Sequence, residues 1–307
     1  MSLKEAFKPE GIVFHNGLYK PALEARVSIY DHGFLYGDGL FETMRAYNSR
    51  VFALTSHLQR LYGGLACLGF NLEEFPYTMP QLAEAIEKTV TINSLTEAYV
   101  RITVTRGEGP PGLDPELCFK PNVVIIARPV RALPPSERPV GIRSAIVPIR
   151  KPSPASLDPA LKSLNYLPNI MAIMAARAVG AEEGILLNEQ GFIAEGTVSN
   201  IFWIANKTVY TPSLGVGILP GITRDTVIEV AKDLGFDFQE GFYTISHLYS
   251  AEEIFFTNSG SELLPVGYID GRPVGNGRPG KRTCHLWQKY REKVWHEIGS
   301  RLNRTEA

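Results

Sequence analysis

The sequence has few cysteines, almost no net charge and no long apolar run. Its three cysteines, Cys67, Cys118 and Cys284, are far apart, and no Cys-x-x-Cys pair is present. This spacing argues against a zinc ribbon or a disulfide framework, and we expect no metal site. The formal net charge of −1 argues against broad electrostatic binding to nucleic acid or to an anionic membrane. No stretch approaches the ~18 apolar residues of a membrane helix, and the first residues lack the apolar core of a signal peptide. We therefore expect a cytoplasmic protein.

The composition is that of a folded chain with more than one domain. Hydrophobic residues make up 44% and charged residues 21% of the 307 residues. This length is typical of about two domains. Eight prolines lie between residues 129 and 160, which indicates a connection between domains followed by an irregular entry into the second. We predict a mixed α/β (α+β) chain with domains at 1–128 and 143–307, joined by a loop at 129–142.

Two local patterns in the first domain predict a strand and a helix start. From Ala98 to Thr105 apolar residues alternate with polar ones, which predicts a strand with Tyr99 and Arg101 on one face. Ser56 and Gln59 have the spacing of a capping box, which predicts the start of a helix that carries Arg60.

Lys162 is the first candidate for chemistry. It lies among Leu161, Leu164 and Leu167, directly after the proline-rich stretch. Apolar surroundings favour the neutral amine of a lysine, and a neutral amine can attack an aldehyde to form a Schiff base. Tyr166 follows one helical turn later, so we expect its hydroxyl near the same site. A lone lysine is otherwise a solvated surface charge.

Glu195 is the second candidate, because it interrupts an otherwise apolar hairpin between Gly191 and Asn200. A buried carboxylate needs a cationic partner, and a protonated pyridine nitrogen is one such cation. The alternative is a carboxylate at the end of a strand that simply faces water.

Two further segments have the composition of anion sites. The run Ile218–Arg224 opens a helix, and helix N-termini present free N–H groups that suit a phosphate. The strand that ends at Phe256–Ser261 offers hydroxyls and backbone N–H groups. Arg60 can add a guanidinium to the same phosphate. Each feature is common by itself.

Together these segments resemble the class IV (fold type IV) aminotransferases that use pyridoxal 5′-phosphate, most closely the branched-chain amino-acid aminotransferases. Three motifs carry the resemblance, in family order: K-x-x-N-Y at Lys162–Tyr166, G-x-x-x-E at Gly191–Glu195 and L-x-G-I-T-R at Leu219–Arg224. The match runs over nearly the whole chain. It implies a small N-terminal α/β domain, a larger C-terminal pseudo-barrel domain, and a cofactor between the domains near the interface of a homodimer or higher homo-oligomer.

The resemblance implies roles for particular residues. Lys162 matches the Schiff-base lysine and the catalytic base, Glu195 the partner of the pyridine nitrogen, and Tyr166 the tyrosine near the phenolic oxygen of the ring. The matches to the phosphate site are Arg60, Ile222, Thr223 and Ser259. The matches to substrate positions are Tyr36, Phe41, Arg45, Tyr99, Arg101, Gly260 and Ser261. The implied reaction is a ping-pong transamination between Leu, Ile or Val and 2-oxoglutarate.

One position departs from the branched-chain pattern, and it leaves alternatives open. Thr43 replaces a glycine in the motif that ends at Arg45, and the enzymes of D-amino acids also carry a larger residue there. Their R-x-H carboxylate motif is however missing from Thr105–Pro111. A D-amino-acid transaminase, an (R)-amine transaminase and an aminodeoxychorismate lyase are therefore alternatives on the same fold. A binding protein that kept the fold without the chemistry is a further alternative, against which Lys162 and Glu195 argue together.

Overall fold

The computed structural model describes residues 10–130 and 141–305, with side chains up to residue 299. The chain forms two compact units. The first is drawn from Met1–Ala132 together with Lys162–Leu164, and the second from Leu133–Leu161 and Asn165–Ala307. Apart from its two ends, the predicted loop 129–142 lies outside the described residues. The domain boundaries expected from the sequence therefore stay a prediction.

The first unit is a six-stranded antiparallel sheet with helices packed on it. The strand order is β2-β1-β6-β5-β3-β4. The strands are β1 (Ile12–His15), β2 (Leu18–Pro21), β3 (Gly39–Tyr47), β4 (Arg50–Val51), β5 (Ala98–Thr105) and β6 (Asn122–Pro129). The helices are α1 (His32–Tyr36), α2 (Leu54–Cys67) and α3 (Met79–Ile92).

Strand β5 confirms the predicted alternation. Val100, Ile102 and Val104 are completely buried, whereas Tyr99 and Arg101 are half-buried on the other face. Because β5 pairs with β3 on one side and β6 on the other, its apolar face belongs to the core of the unit. The pairing with β3 places Arg101 next to Thr43.

The predicted capping box at Ser56 and Gln59 is wrong. Helix α2 already begins at Leu54, so both residues lie inside it, and its N-cap is Ala53 with a left-handed φ of 50°. The β3–β4 hairpin ends only three residues earlier, which leaves the chain no room for an extended capping residue. A capping box does open α3, where Thr78 and Gln81 satisfy each other's backbone N–H groups.

The second unit is a nine-stranded mixed sheet. The strand order is β12-β11-β10-β13-β14-β7-β8-β9, with β15 added to β14. The strands are β7 (Ile142–Arg150), β8 (Glu183–Leu187), β9 (Ile193–Gly196), β10 (Asn200–Ala205), β11 (Thr208–Pro212), β12 (Asp237–Gly241), β13 (Glu253–Asn258), β14 (Glu262–Ile269) and β15 (Arg272–Pro273). The helices are α4 (Leu167–Ala178), α5 (Ile222–Asp233), α6 (Ser246–Tyr249) and α7 (Lys281–Thr305).

The central strands of this sheet hold its core. Ile201, Trp203, Ile254 and Phe256, on the antiparallel neighbours β10 and β13, are 1% exposed or less. Burying four large apolar side chains in one cluster fixes the register of the two strands. That register sets Asn200, the first residue of β10, directly opposite Thr257. Among the described residues no helix is both long and apolar enough to span a membrane.

Candidate active site

Lys162 is held by the backbone of β3, although 120 residues separate the two in sequence. The N–H of Phe41 donates to the carbonyl of Lys162 at 3.0 Å, and the N–H of Leu164 donates to the carbonyl of Gly39 at 3.0 Å. Ser163 forms an isolated bridge with Leu40. Through this short strand-like segment, Lys162 belongs to the first unit. The backbone pairing also fixes the position of the Lys162 Cα atom.

Three of the predicted site residues come together around one aromatic ring. The guanidinium of Arg101 lies 3.6 Å from the centre of the Phe41 ring, and Nζ of Lys162 lies 4.8 Å from it. Phe41 itself is only 5% exposed. The ring is negative on its face and attracts the guanidinium of Arg101, and the amine of Lys162 lies beside it. The first unit thus combines an amine, a guanidinium and an apolar side chain at one place.

Arg60 is positioned by a buried carboxylate. Its Nε donates to Oε1 of Glu42 at 2.6 Å and its Nη2 donates to Oε2 at 2.8 Å. Nδ1 of His57 lies 2.8 Å from the same Oε2. Glu42 is 1% and His57 2% exposed. A two-point bond to a guanidinium fixes the plane of the group as well as its position.

The charge state of this network follows from its surroundings. Burial alone raises the pKa of Glu42, but His57 and Arg60 outweigh it and hold the pKa well below its ordinary value. Burial lowers the pKa of His57, against the opposing effect of Glu42, and the charges of Arg60 and Lys162 lower it further. We therefore assign Glu42 as the anion of this network, held by Arg60 and by Nδ1 of His57.

The remaining predicted residues of the first unit have different surroundings. Tyr36 is 39% exposed on α1, and its hydroxyl accepts the N–H of Gly112 at 3.0 Å. Arg45 is 4% exposed and pairs with Glu97 at 3.2 Å. In the β3–β5 register Arg45 is the partner of Tyr99. The structure therefore places Arg45 in the interior of the unit and leaves Tyr36 at its surface.

A cavity of about 670 Å³ in the first unit contains none of the predicted site residues. Its walls include His15, Tyr30, Glu108 and Asn122. Lys162, Phe41 and Arg101 do not line it.

In the second unit, Glu195 is held by three donors. It lies on β9 and is 6% exposed. Its Oε2 accepts the backbone N–H of Leu219 at 3.0 Å and the side-chain N–H of Asn200 at 3.3 Å. Its Oε1 accepts a charge-assisted hydrogen bond from the ammonium of Lys151. Neither Asn200 nor Lys151 was assigned a role from the sequence, although Asn200 ends the segment that contains Glu195, and no local pattern connects Lys151 to Glu195.

The hydrogen bonds around the Glu195 carboxylate continue to the N-terminus of α5. Asn200 Nδ2 also donates to the carbonyl of Leu219 at 3.0 Å, and α5 begins three residues later with no side-chain cap. A Cβ on Gly221 would lie 1.9 Å from Oδ1 of Asn200, so any other residue there would displace the Asn200 side chain. Thr223 is 3% exposed in the first turn. The helix therefore presents N–H groups of its first turn and a buried hydroxyl, which suit a phosphate.

The β13–β14 turn carries the other predicted anion site. Ser259 and Gly260 are half-buried, and the N–H of Ser261 donates to Oδ1 of Asn258 at 2.7 Å. Thr257, at the end of β13, is 2% exposed, and its Oγ1 has no hydrogen-bond partner among the described residues. Tyr166, also in this unit, is the half-buried N-cap of α4. The helical turn expected between Lys162 and Tyr166 is therefore wrong, because α4 begins only at Leu167 and Lys162–Leu164 pairs with β3.

Comparison with known proteins identifies the family. The model of the "Amino-transferase class IV" family matches residues 39–269. The chain belongs to the class IV aminotransferases. A protein of Methanocaldococcus jannaschii, named "Putative branched-chain-amino-acid aminotransferase", is 41% identical over 280 residues, which cover 91% of this chain and 95% of that protein. The aminodeoxychorismate lyase of Bacillus subtilis is 34% identical and covers 96% of this chain and 99% of the lyase.

Solved structures give the same fold. The branched-chain aminotransferase of the thermophilic archaeon Thermoproteus uzoniensis, solved with norvaline, has a TM-score of 0.85 and 33% sequence identity. The alignment covers 92% of this chain and 94% of that one. The family, the type IV fold and the enzyme class expected from the sequence are therefore confirmed.

This aminotransferase depends on pyridoxal 5′-phosphate, as its family does. The residues present fit the cofactor in each unit separately. The second unit supplies an anchored anion at Glu195, the start of α5 without a side-chain cap, and the Thr257 hydroxyl, which has no hydrogen-bond partner within the part of the chain that the structure describes. The first unit supplies an amine at Lys162 and an oriented guanidinium at Arg60. The individual residue roles stay predictions.

Proposed function

We propose that this class IV aminotransferase transfers the amino group of leucine, isoleucine or valine to 2-oxoglutarate in ping-pong order. The observation that carries the proposal is the stacking of the Arg101 guanidinium on Phe41 at 3.6 Å. An aliphatic side chain needs apolar surface, and the second carboxylate of 2-oxoglutarate needs a cation. Phe41 and Arg101 offer both in the same place, which is what alternate binding of the two substrates requires. The relatives named as branched-chain enzymes support the choice.

Each proposed role follows from the local chemistry of the residue. When bound, pyridoxal phosphate supplies an electron sink for the substrate carbanion. We assign Lys162 Nζ as the group that takes the proton from the substrate α-carbon and returns it. Glu195 holds the ring nitrogen, and Tyr166 lies near the phenolic oxygen.

Binding of the two anionic groups is proposed for the remaining residues. Arg60, Ile222, Thr223 and Ser259 bind the phosphate, and the turn at Gly260 and Ser261 binds the substrate carboxylate. The N–H of Ser261 donates to Oδ1 of Asn258 at 2.7 Å, so the substrate carboxylate has to replace this acceptor or share the N–H with it. The supporting observations are the guanidinium oriented by Glu42 and the uncapped start of α5.

The lyase reaction on aminodeoxychorismate is the second candidate, because a lyase of similar length is 34% identical to this chain. Thr43 also favours a substrate other than the branched-chain acids, since it is half-buried directly beside Arg101 in the β3–β5 register. A lyase needs no second amino acceptor. Arg101 beside Phe41 therefore weighs towards transamination.

The substitution Arg101→Leu tests the proposal. We expect it to weaken the half-reaction with glutamate or 2-oxoglutarate about 10- to 150-fold, the effect of losing one charge-assisted hydrogen bond. The half-reaction with leucine should change much less, because leucine carries no second carboxylate. Single-turnover absorption spectra of each half-reaction measure both effects.

The matched control is Arg50→Leu, which removes the half-exposed partner of Glu87 in the same unit and should change neither half-reaction. Equal losses for glutamate and leucine in Arg101→Leu contradict dual recognition. A wild-type enzyme that accepts D-alanine and ignores L-leucine contradicts the branched-chain assignment, and release of pyruvate from aminodeoxychorismate supports the lyase.

We also propose a homodimer, the state expected from the resemblance. Helix α4 supports it with an exposed apolar stripe at i, i+3, i+4 and i+7, formed by Leu167, Ile170, Met171 and Met174. All four side chains are half exposed or more, and such a stripe is typical of a surface that a partner covers. Sedimentation of the wild type and of Ile170→Lys tests this, and a monomeric wild type contradicts it. The cytoplasmic location stays a prediction.

A further inference from the structure

Lys151, a residue that no sequence motif indicated, forms a buried ion pair with the candidate residue Glu195. Its side chain is 15% exposed and that of Glu195 is 7% exposed. Lys151 follows β7 directly, and its backbone N–H donates to the carbonyl of Leu187 on β8, at 2.9 Å. This backbone hydrogen bond to β8 thus places the ammonium of Lys151 next to β9. A lysine held this way is part of the site and not a solvated surface charge.

The hydrogen bonds of Glu195 leave a defined place for one more donor. A carboxylate oxygen accepts about two strong hydrogen bonds. Oε2 already accepts two, from Leu219 and Asn200. Oε1 accepts one among the described residues, from Lys151. A further N–H donor to Glu195 therefore shares Oε1 with the ammonium of Lys151.

We propose that Lys151 tunes how strongly Glu195 binds the protonated ring nitrogen of the cofactor. Two cations then face one carboxylate, and like charges a few ångström apart in a buried site repel each other strongly. Before the cofactor binds, the ammonium of Lys151 balances the negative charge of the Glu195 carboxylate. After the cofactor binds, the same ammonium weakens the attraction between Glu195 and the pyridinium. It is a positioning residue that acts through Glu195. The inference rests on the proposed assignment of Glu195 to the ring nitrogen.

The experiment isolates the ring nitrogen by comparing two ligands of the apoprotein. One is pyridoxal phosphate, and the other is its carbocyclic analogue, in which a C–H group replaces the ring nitrogen. The ratio of their dissociation constants measures only the contact at that nitrogen, because general changes in the site cancel. The variants are Lys151→Met, which removes the ammonium, Lys151→Gln, which keeps a donor without the charge, and Lys151→Arg, which keeps the charge.

We expect the preference for pyridoxal phosphate over the analogue to rise about tenfold or more in Lys151→Met and in Lys151→Gln. Lys151→Arg should keep the ratio of the wild type. The matched control is Lys293→Met, which breaks the exposed Lys293–Glu229 pair of the same unit and should also leave the ratio unchanged.

A ratio that stays constant in both uncharged variants overturns the inference, and so does a ratio that falls in them. A rise in Lys151→Met without one in Lys151→Gln also overturns it, because the donor and not the charge would then matter. Glu195→Gln separates these results from a failure of the proposed function. If Glu195→Gln leaves the ratio of the wild type unchanged, Glu195 does not serve the ring nitrogen, and the assignment itself is wrong.

Discussion

Each unit places a buried carboxylate at its part of the candidate site, and the donors around the two carboxylates come from the chain in opposite ways. In the first unit, Glu42 receives Arg60 at both of its oxygens and His57 at one, and all three residues lie within 18 positions of each other. In the second unit, Glu195 receives its donors from Lys151, Asn200 and Leu219, which come from three separate segments.

This difference separates a carboxylate that orients a cation from one that is itself oriented. In the proposed site Glu42 orients Arg60, so we expect the guanidinium to be the group that contacts the ligand. Glu195 is fixed by its neighbours and keeps room at Oε1, so there we expect the anion itself to contact the ligand. Substitutions at the two positions should therefore fail differently, the first through stability and the second through chemistry.

The largest expected effect belongs to neither carboxylate but to the amine of Lys162. Lys162→Ala should lower transamination by roughly 10³-fold or more, because it removes both the acid–base group and the covalent attachment point. Mass spectrometry after borohydride reduction should show the cofactor attached to the wild type and absent from the variant. Lys88→Ala, in the same unit, should behave as the wild type does. Normal multiple turnover in Lys162→Ala contradicts the assignment.

Glu195→Gln should produce the next largest loss of activity. We expect turnover to fall roughly 10²-fold, as for other positioned electrostatic groups, while the cofactor still binds through its phosphate. Steady-state kinetics and the cofactor absorbance of the purified variant measure the two effects. Glu189→Gln, at an exposed position of the same hairpin, is the control. Unchanged turnover would remove Glu195 from the mechanism.

Glu42→Gln tests the other half of the comparison. It breaks a buried charge pair, so we expect the free energy of unfolding of the apoprotein to fall by about 3 kcal/mol. Chemical denaturation of the apoprotein measures this value without any cofactor. Glu87→Gln loses the half-exposed pair with Arg50 and should cost at most about 1 kcal/mol. If the two variants are equally stable, Glu42 does not anchor the network.

The smallest effect concerns pH. Burial lowers the pKa of His57 below its ordinary 6.5. As the pH falls below that value, His57 therefore binds a proton more readily in the unfolded chain than in the folded one. Stability therefore falls on acidification from about 6.5 downwards, by up to about 1.4 kcal/mol per pH unit. His57→Gln should lack this slope, and the exposed His285→Gln should keep it. Melting temperatures measured between neutral and mildly acidic pH decide the matter.

Local patterns were reliable where neighbours along the chain decide the structure. The alternation of β5 was predicted residue by residue, since period-two burial is a property of consecutive positions. The capping box at Ser56 failed, because the end of the β3–β4 hairpin sets where α2 begins and the helix starts three residues earlier than that box predicts. A local capping pattern does not set the start of a helix when a neighbouring element leaves no room for the capping residue.

The amino-acid sequence by itself determined the family, the cofactor and the motifs around Lys162, Glu195 and Leu219, because each motif is a short run of residues. Only the tertiary structure decided the partners of these residues. Lys162 joins β3 across 120 positions, and Lys151 reaches Glu195 across 44. The physical reason is that a buried charge takes its counter-charge from whichever segment the sheet brings within hydrogen-bonding distance, and a distance in space leaves no trace in the spacing along the chain.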